Sequence, residues 1–527
     1  MRTPSRTLLL WLPAALLALS ACAGPTATAA VLRVEVLVDG QRAALEVPSG
    51  TTVQGALTRA GVTLGALDRV TPPGYTVLDD GTVIEVTRVA ERFDVETVVI
   101  PFERQTIRNE ALPEGERRLL QPGQNGRQEI TYRILEQAGE EVSRVPVQSV
   151  VVEAPVAEIV MIGAQAVYSN LPLDGTLAYL ASGNAWVMRG STGSRRPLVV
   201  SGDLDGRVFR LSPDGRWLLF TRRADEDGEI NSLWAVSTTE PDAQPVSLRA
   251  RNIVHFADWA PTPGALTLAY STAEPSPSPP GWQAHNDLHT LTLSATGQVI
   301  RQREVVPPQA GGQYGWWGTS YAWANDVLLA FARADSVGLI DLREPALRPL
   351  LEIVPLQTLG DWAWVPGMSW SPDGRILYAV DHAPPQGLES PAASQAFDLV
   401  ALPGEGGPVL RLARNTGMFA SPVVSPPRRL GHGEFSYTVA FLQALAPLES
   451  ADSRYRLILM DRDGSNQRAL FPPPGEVGLA PQRIAWSPAA DRLAVLYRGD
   501  LWLVDVEAGA GQPVTGDGQT LALDWTD

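Results

Sequence analysis

Lysine is absent from the 527-residue chain, so all 42 basic residues are arginine. That excludes Schiff-base lysines and the lysine of a Walker-type phosphate loop, whose ammonium a guanidinium does not replace. Cysteine occurs once, which rules out an internal disulfide and any zinc site built from several thiolates. Charge is sparse at 19% and leans acidic, with a net −16. Such a chain repels phosphate backbones and anionic lipid surfaces, so nucleic acid is not an expected partner. What is abundant is apolar: 44% of residues are hydrophobic and 15 are Trp, enough to bury a sizeable core. Gly (47) and Pro (44) make the chain rich in turns without reaching the composition of a low-complexity chain. The length asks for two or three domains.

Arg2 and Arg6 precede an apolar run from Leu8 to Leu19, too short for a spanning helix and of the length of a secretion signal. It ends in Leu19-Ser20-Ala21-Cys22, which resembles the bacterial lipobox. The resemblance implies a signal peptide over 1–21, cleavage before Cys22, and a lipidated Cys22 with residues 22–30 as a tether, placing the protein outside the cytoplasm on the bacterial cell membrane. The plainer alternative is an ordinary signal peptide cut after an alanine, with Cys22 incidental.

From Val31 the pattern alternates: Leu32, Val34, Val36 and Val38 on one face, a turn at Asp39-Gly40, then Ala43, Leu45 and Val47. This predicts a hairpin. Thr51 and Thr52 offer an N-cap to a helical spacing at Val53, Ala56, Leu57 and Ala60, which Gly61 stops. A strand over 82–87 follows the turn Asp79-Asp80-Gly81. Residues 31–89 thus read as a ubiquitin-like β-grasp module, and Val38-Asp39-Gly40, Gly61-Val62-Thr63-Leu64 and Leu78-Asp79-Asp80-Gly81 resemble the modules of resuscitation-promoting factors. Residues 90–163 continue the resemblance. Ile100-Pro101-Phe102-Glu103, Leu112-Pro113-Glu114-Gly115, Gly123-Gln124-Asn125-Gly126 and Val160-Met161-Ile162-Gly163 follow the layout of the G-five domain, with Gly115, Gly123, Gly126, Gly139 and Gly163 in its five glycine places. The family is thin and strand-rich, and the resemblance implies binding to N-acetylglucosamine-containing wall glycan such as peptidoglycan. Equally, the glycines serve turns and the module is a spacer.

Residues 164–527 repeat an apolar strand, a Ser-Pro-Asp-Gly type turn and a second apolar strand, at Leu211-Ser212-Pro213-Asp214-Gly215, Trp370-Ser371-Pro372-Asp373-Gly374 and Trp486-Ser487-Pro488, with weaker copies around Trp259, Trp323 and Val424. These hairpins resemble TolB-like β-propellers. The registers Leu211, Trp259, Trp323, Trp370, Val424, Trp486 and Trp525 predict seven four-stranded blades, six or eight remaining open. Thr520 to Trp525 is a strand with no chain left to complete a blade, while Leu177–Leu180 and Ala185–Met188 lack a first strand. The two ends are expected to pair and close the ring. The fold class is therefore mainly β and multidomain.

Chemistry is harder to locate. His285 and His289 lie near each other after a Pro/Ser-rich loop, without a third ligand in sequence, and read as incidental loop residues. Asp203-Leu204-Asp205-Gly206, Asp225-Glu226-Asp227-Gly228 and Asp461-Arg462-Asp463-Gly464 begin like calcium loops but lack the closing glutamate. No Gly-x-Ser-x-Gly elbow occurs. Neither catalytic residue, metal site nor cofactor is expected. Tyr314, Trp316, Trp317, Trp362 and Trp364 are the candidate ligand-binding residues, flat rings beside glycines on segments entering two inner strands; packing between blades is the alternative role. The expected function is a non-catalytic envelope lipoprotein meeting glycan through the G-five module and a protein or glycan partner through the propeller. The alternatives are a hydrolase or lyase acting on wall glycan and an assembly scaffold for an envelope complex.

Overall fold

A computed structural model describes residues 30–109, 115–137, 139–163, 170–224, 228–358, 360–387, 390–429 and 435–527. The signal peptide, Cys22 and all of the tether except Ala30 lie outside these residues. Two compact units divide the chain, one holding residues up to 105 with 120–158, the other 106–119 with 159–527. The division falls within residues 90–163.

In the first unit, Val31–Val38 and Gln41–Pro48 form the expected hairpin, and both Asp39 and Gly40 take positive φ, the primed turn that matches strand twist. Thr52 caps the helix Val53–Arg59, its hydroxyl accepting from the Gly55 N–H. The helix ends as the sequence dictates: the Gly61 N–H donates to Thr58 and that of Val62 to Leu57, a Schellman motif with Gly61 at positive φ. Val31–Val38 pairs parallel with Val83–Thr87, which joins the two ends of the module across its sheet. Val34, Val36, Val47, Val53, Leu57 and Ile84 fill its core. Of the three apolar positions expected to face that core from the second strand, only Val47 is fully buried.

Long strands follow. Val89–Ile100, Gly126–Gln137 and Glu140–Glu153 form a three-stranded antiparallel sheet, and Arg104–Asn109, Glu158–Gly163 and Arg117–Gln121 form another. The first is thin: along Glu140–Glu153 every residue but one is exposed. Two of the five glycines owe their identity to close approach. A Cβ on Gly123 would fall 2.3 Å from the Phe102 ring, and one on Gly126 2.5 Å from the Glu153 carbonyl oxygen.

Residues 172–526 build seven four-stranded antiparallel sheets. Six of them take their strands in chain order. In the seventh, Thr520–Thr526 pairs antiparallel with Pro172–Ala181, setting Trp525 opposite Leu177 and Leu523 opposite Tyr179. The expected pairing of the two ends is thus present. The Ser-Pro-Asp-Gly turns work through their serine: Ser212 Oγ accepts the Trp217 N–H and donates to Asp214, and Ser371 does the same with Ile376 and Asp373. Two-stranded hairpins are inserted in two sheets, one pairing Ala273–Pro275 with Trp282–Ala284 and the other Arg428–Arg429 with Phe435–Ser436.

Candidate functional site

All seven register residues, Leu211, Trp259, Trp323, Trp370, Val424, Trp486 and Trp525, line one cavity of about 700 Å³. They occupy equivalent places, each on an edge strand of its sheet and at or within two residues of that strand's end. Their tryptophans act as ties between sheets. The indole N–H of Trp259 donates to the Arg210 carbonyl, that of Trp323 to Asp258, that of Trp370 to Ala322 and that of Trp486 to Val423. In each case the acceptor is the residue before the neighbouring register position, so one bond repeats from sheet to sheet. At Val424 no indole is available, and its backbone N–H instead meets Ser369 Oγ. Trp525 departs from the rule, donating to Asp174 within its own sheet.

Five charged residues line this cavity: Arg207, Arg210, Asp258, Arg483 and Asp524. Four of them pair loosely, Arg210 with Asp258 at 3.7 Å and Arg483 with Asp524 at 3.6 Å. Asp524 also accepts the Leu211 N–H at 2.8 Å and Asp258 that of Trp259 at 2.9 Å. Burial pushes the Asp258 carboxyl above its ordinary range, against the pull of Arg210. Burial likewise holds the His255 imidazole down to about 4, so it is neutral at physiological pH.

The five aromatic candidates separate into two places. Trp316 and Trp317 are half-buried and join a cluster with Trp282 and His255: Trp317 lies 5.2 Å from Trp282 and 5.4 Å from His255, and Trp316 meets Trp317 edge-on at 5.9 Å. The Trp282 N–H donates to the Trp317 carbonyl, and Arg207 stacks 4.9 Å over the Trp282 ring. Trp282 was not legible as a member, because the inserted hairpin that carries it has no counterpart in the repeat. Tyr314 sits beside them, half-buried and at positive φ. Trp364 is corrected: it is 2% exposed, packed on Phe397 and His382 with its N–H on the Met418 carbonyl, and serves as core. Trp362 packs half-buried against that same core.

Of the two histidines expected on a loop, His285 lies between strands as expected and His289 does not. His289 belongs to the strand Leu288–Leu293 and stacks on Tyr270. Its Nε2 lies 3.0 Å from Asp287, while His285 Nδ1 meets Thr272 Oγ1 at 2.7 Å. Burial raises the Asp287 pKa, yet hydrogen bonds from His289 and Thr272 outweigh it and leave the carboxyl below its usual range. Among the described residues no group of three His, Cys, Asp or Glu side chains is placed to hold a metal. Part of the second calcium-like turn, residues 225–227, lies outside the described residues. In the first such turn, Asp205 accepts from Thr221 and Asn231, and Asp203 pairs with Arg222.

Residues 91–165 match the G5 domain. Residues 34–74 match the G5-linked ubiquitin-like domain. The resuscitation-promoting factor RpfB of Mycolicibacterium smegmatis is 26% identical over 160 residues, 29% of this chain and 44% of that protein. Rpf2 of Corynebacterium glutamicum is 26% identical over 155 residues, 29% of this chain and 41% of the relative. The chain therefore spans less than half the length of these curated relatives. The β-propeller domain of the Trilobed protease from Pyrococcus furiosus is similar over 66% of this chain and 97% of its own length, at 12% identity and a TM-score of 0.38.

Proposed function

We propose that the protein is a cell-wall-associated lipoprotein, non-catalytic, in which the G5 segment meets N-acetylglucosamine-containing glycan and the propeller meets a protein or glycan partner. The observation that carries the reading is the match of residues 91–165 to the G5 domain, next to a ubiquitin-like module shared with proteins named as resuscitation-promoting factors. The thin sheet supports it. Along Glu140–Glu153 nearly every residue reaches solvent, and the sheet's arginines and tyrosine, such as Arg144 stacked 4.5 Å over Tyr132, offer hydrogen-bond donors and a flat ring to a polymer.

Cosedimentation of the full chain with purified peptidoglycan tests the glycan contact. The protein should pellet, and N-acetylglucosamine oligomers should release it; a chain that stays in the supernatant removes the glycan from the reading. Anchoring is tested separately. Cys22→Ala should abolish incorporation of labelled fatty acid and leave a precursor or a released protein, because a diacyl anchor on this thiol is what would hold the chain at the membrane. Unchanged labelling would overturn the anchor and leave the glycan contact standing.

For the propeller we propose a contact at Trp282, Trp316 and Trp317 with Tyr314 beside them. Half-buried rings with a stacked guanidinium are the composition of binding anchors.

A further inference from the structure

A second cavity, about 640 Å³, is lined by five arginines: Arg207, Arg210, Arg454, Arg483 and Arg498. No carboxylate lines it, in a chain whose net charge is −16. The arginines come from far apart. Arg207 and Arg210 lie on the strand Leu204–Leu211, Arg454 just before Tyr455–Asp461, Arg483 just before Ala485–Trp486, and Arg498 in the turn between Arg492–Tyr497 and Asp500–Asp505.

Their charges are incompletely answered. Among the described residues Arg207 and Arg454 have no acidic partner. Arg210 and Arg483 have only the loose pairs at 3.7 and 3.6 Å, whose carboxylates are already engaged by backbone N–H groups. Arg498 alone has a close partner, Glu476 at 2.8 Å. Burial first and the neighbouring Arg483 second pull the Arg210 guanidinium down to about 10, a cost of holding like charges together that a bound anion would lift. A further donor waits in the same wall. Tyr497 lines the cavity, is 5% exposed, and its hydroxyl has no hydrogen-bond partner.

We infer that this cavity is a binding site for a small oxyanion ligand carrying two or more negative groups, held by Arg207, Arg454, Arg483 and Arg498 around the Arg210 guanidinium. The chemistry fits in three respects. Planar guanidinium forks take carboxylate or phosphate oxygens in pairs. Several cations in a concave, partly desolvated wall attract an anion far more strongly than the same charges spread on a convex surface. The volume suits a ligand of several non-hydrogen atoms rather than a single ion. The inference is independent of the glycan reading of the G5 segment, and it shares only Arg207 with the tryptophan cluster.

Isothermal titration of the full chain with inorganic pyrophosphate and with citrate tests it and separates phosphate from carboxylate. One of the two should bind and should weaken at least tenfold between 20 and 200 mM salt, as screening requires. Arg454→Gln, an exposed side chain with no acidic partner among the described residues and no place in the tryptophan cluster, should weaken binding at least fivefold at unchanged melting temperature. Arg429→Gln, elsewhere on the surface, should leave it intact. Equal binding of both probes assigns the site to charge alone and supports it. Absence of heat with either probe, or an equal loss in the Arg429→Gln control, overturns the site.

Discussion

Tryptophan carries three different duties in this chain, and the side chain's surroundings decide which. Trp259, Trp323, Trp370 and Trp486 close hydrogen bonds between neighbouring sheets. Trp364 fills a core among Phe397 and His382. Trp316 and Trp317 stand half-buried beside Trp282. Truncation should tell the last two duties apart. Trp364→Ala empties a fully buried site and orphans the Met418 carbonyl, for a loss of about 3–5 kcal/mol. Trp316→Ala should cost at most about half as much and should weaken partner binding by about 1–3 kcal/mol. Denaturant unfolding of both variants checks the first expectation. Equal losses would move Trp316 into the core and away from the partner surface.

The paired strands Ile376–His382 and Phe397–Pro403 place Asp381 directly opposite Asp398. Like charges in that position repel. Asp398 has Arg411 at 2.7 Å, whereas Asp381 is pushed up to about 6 by burial first and by Asp398 second. A carboxyl whose folded value lies above its unfolded one favours the fold below about pH 4 and withdraws that support as pH rises through 6. Asp381→Asn removes the charge. The variant should gain up to about 3 kcal/mol over the parent at pH 7 and little at pH 4, read from unfolding free energies at the two values. Identical pH dependence in parent and variant would contradict the pairing. His255 acts in the opposite sense: with its folded value at about 4, stability is lost as pH falls from about 6.5 through 4. The two effects offset in the parent, so each is best seen in a variant lacking the other group.

At the scale of the molecule, the strand Thr520–Thr526 is the feature that completes the sheet begun by Pro172–Ala181. Leu523 and Trp525 are buried, and every residue of Thr520–Thr526 except Leu521 pairs with Pro172–Ala181. Deleting residues 520–527 should lower propeller stability by several kcal/mol through lost burial and an unpaired edge, about the loss of two large core side chains, and should promote association. Calorimetry on the full chain checks this. A propeller transition at the parent's temperature would show that the pairing contributes nothing.

Local order was written in the sequence wherever one residue type has one physical use. Asp39-Gly40 dictated a primed turn, Thr52 and Gly61 bounded a helix, and the serine of Ser-Pro-Asp-Gly positioned the next strand's first N–H. The seven registers and the pairing of the two chain ends followed from counting strands. Exposure did not follow. Trp364 and Trp316 both lie on segments between strands, where no periodicity marks an inward face, so they look alike in sequence and differ in the fold. Nor did gathering across the chain. Trp282 reaches Trp317 from an inserted hairpin, and Arg207 and Arg498 line one cavity across 291 positions, because sheets distant in the chain lie side by side in the fold. Sequence determined the elements and their order; tertiary structure alone decided which side chains share a wall, since packing sheets from distant parts of the chain creates neighbours that no local spacing encodes.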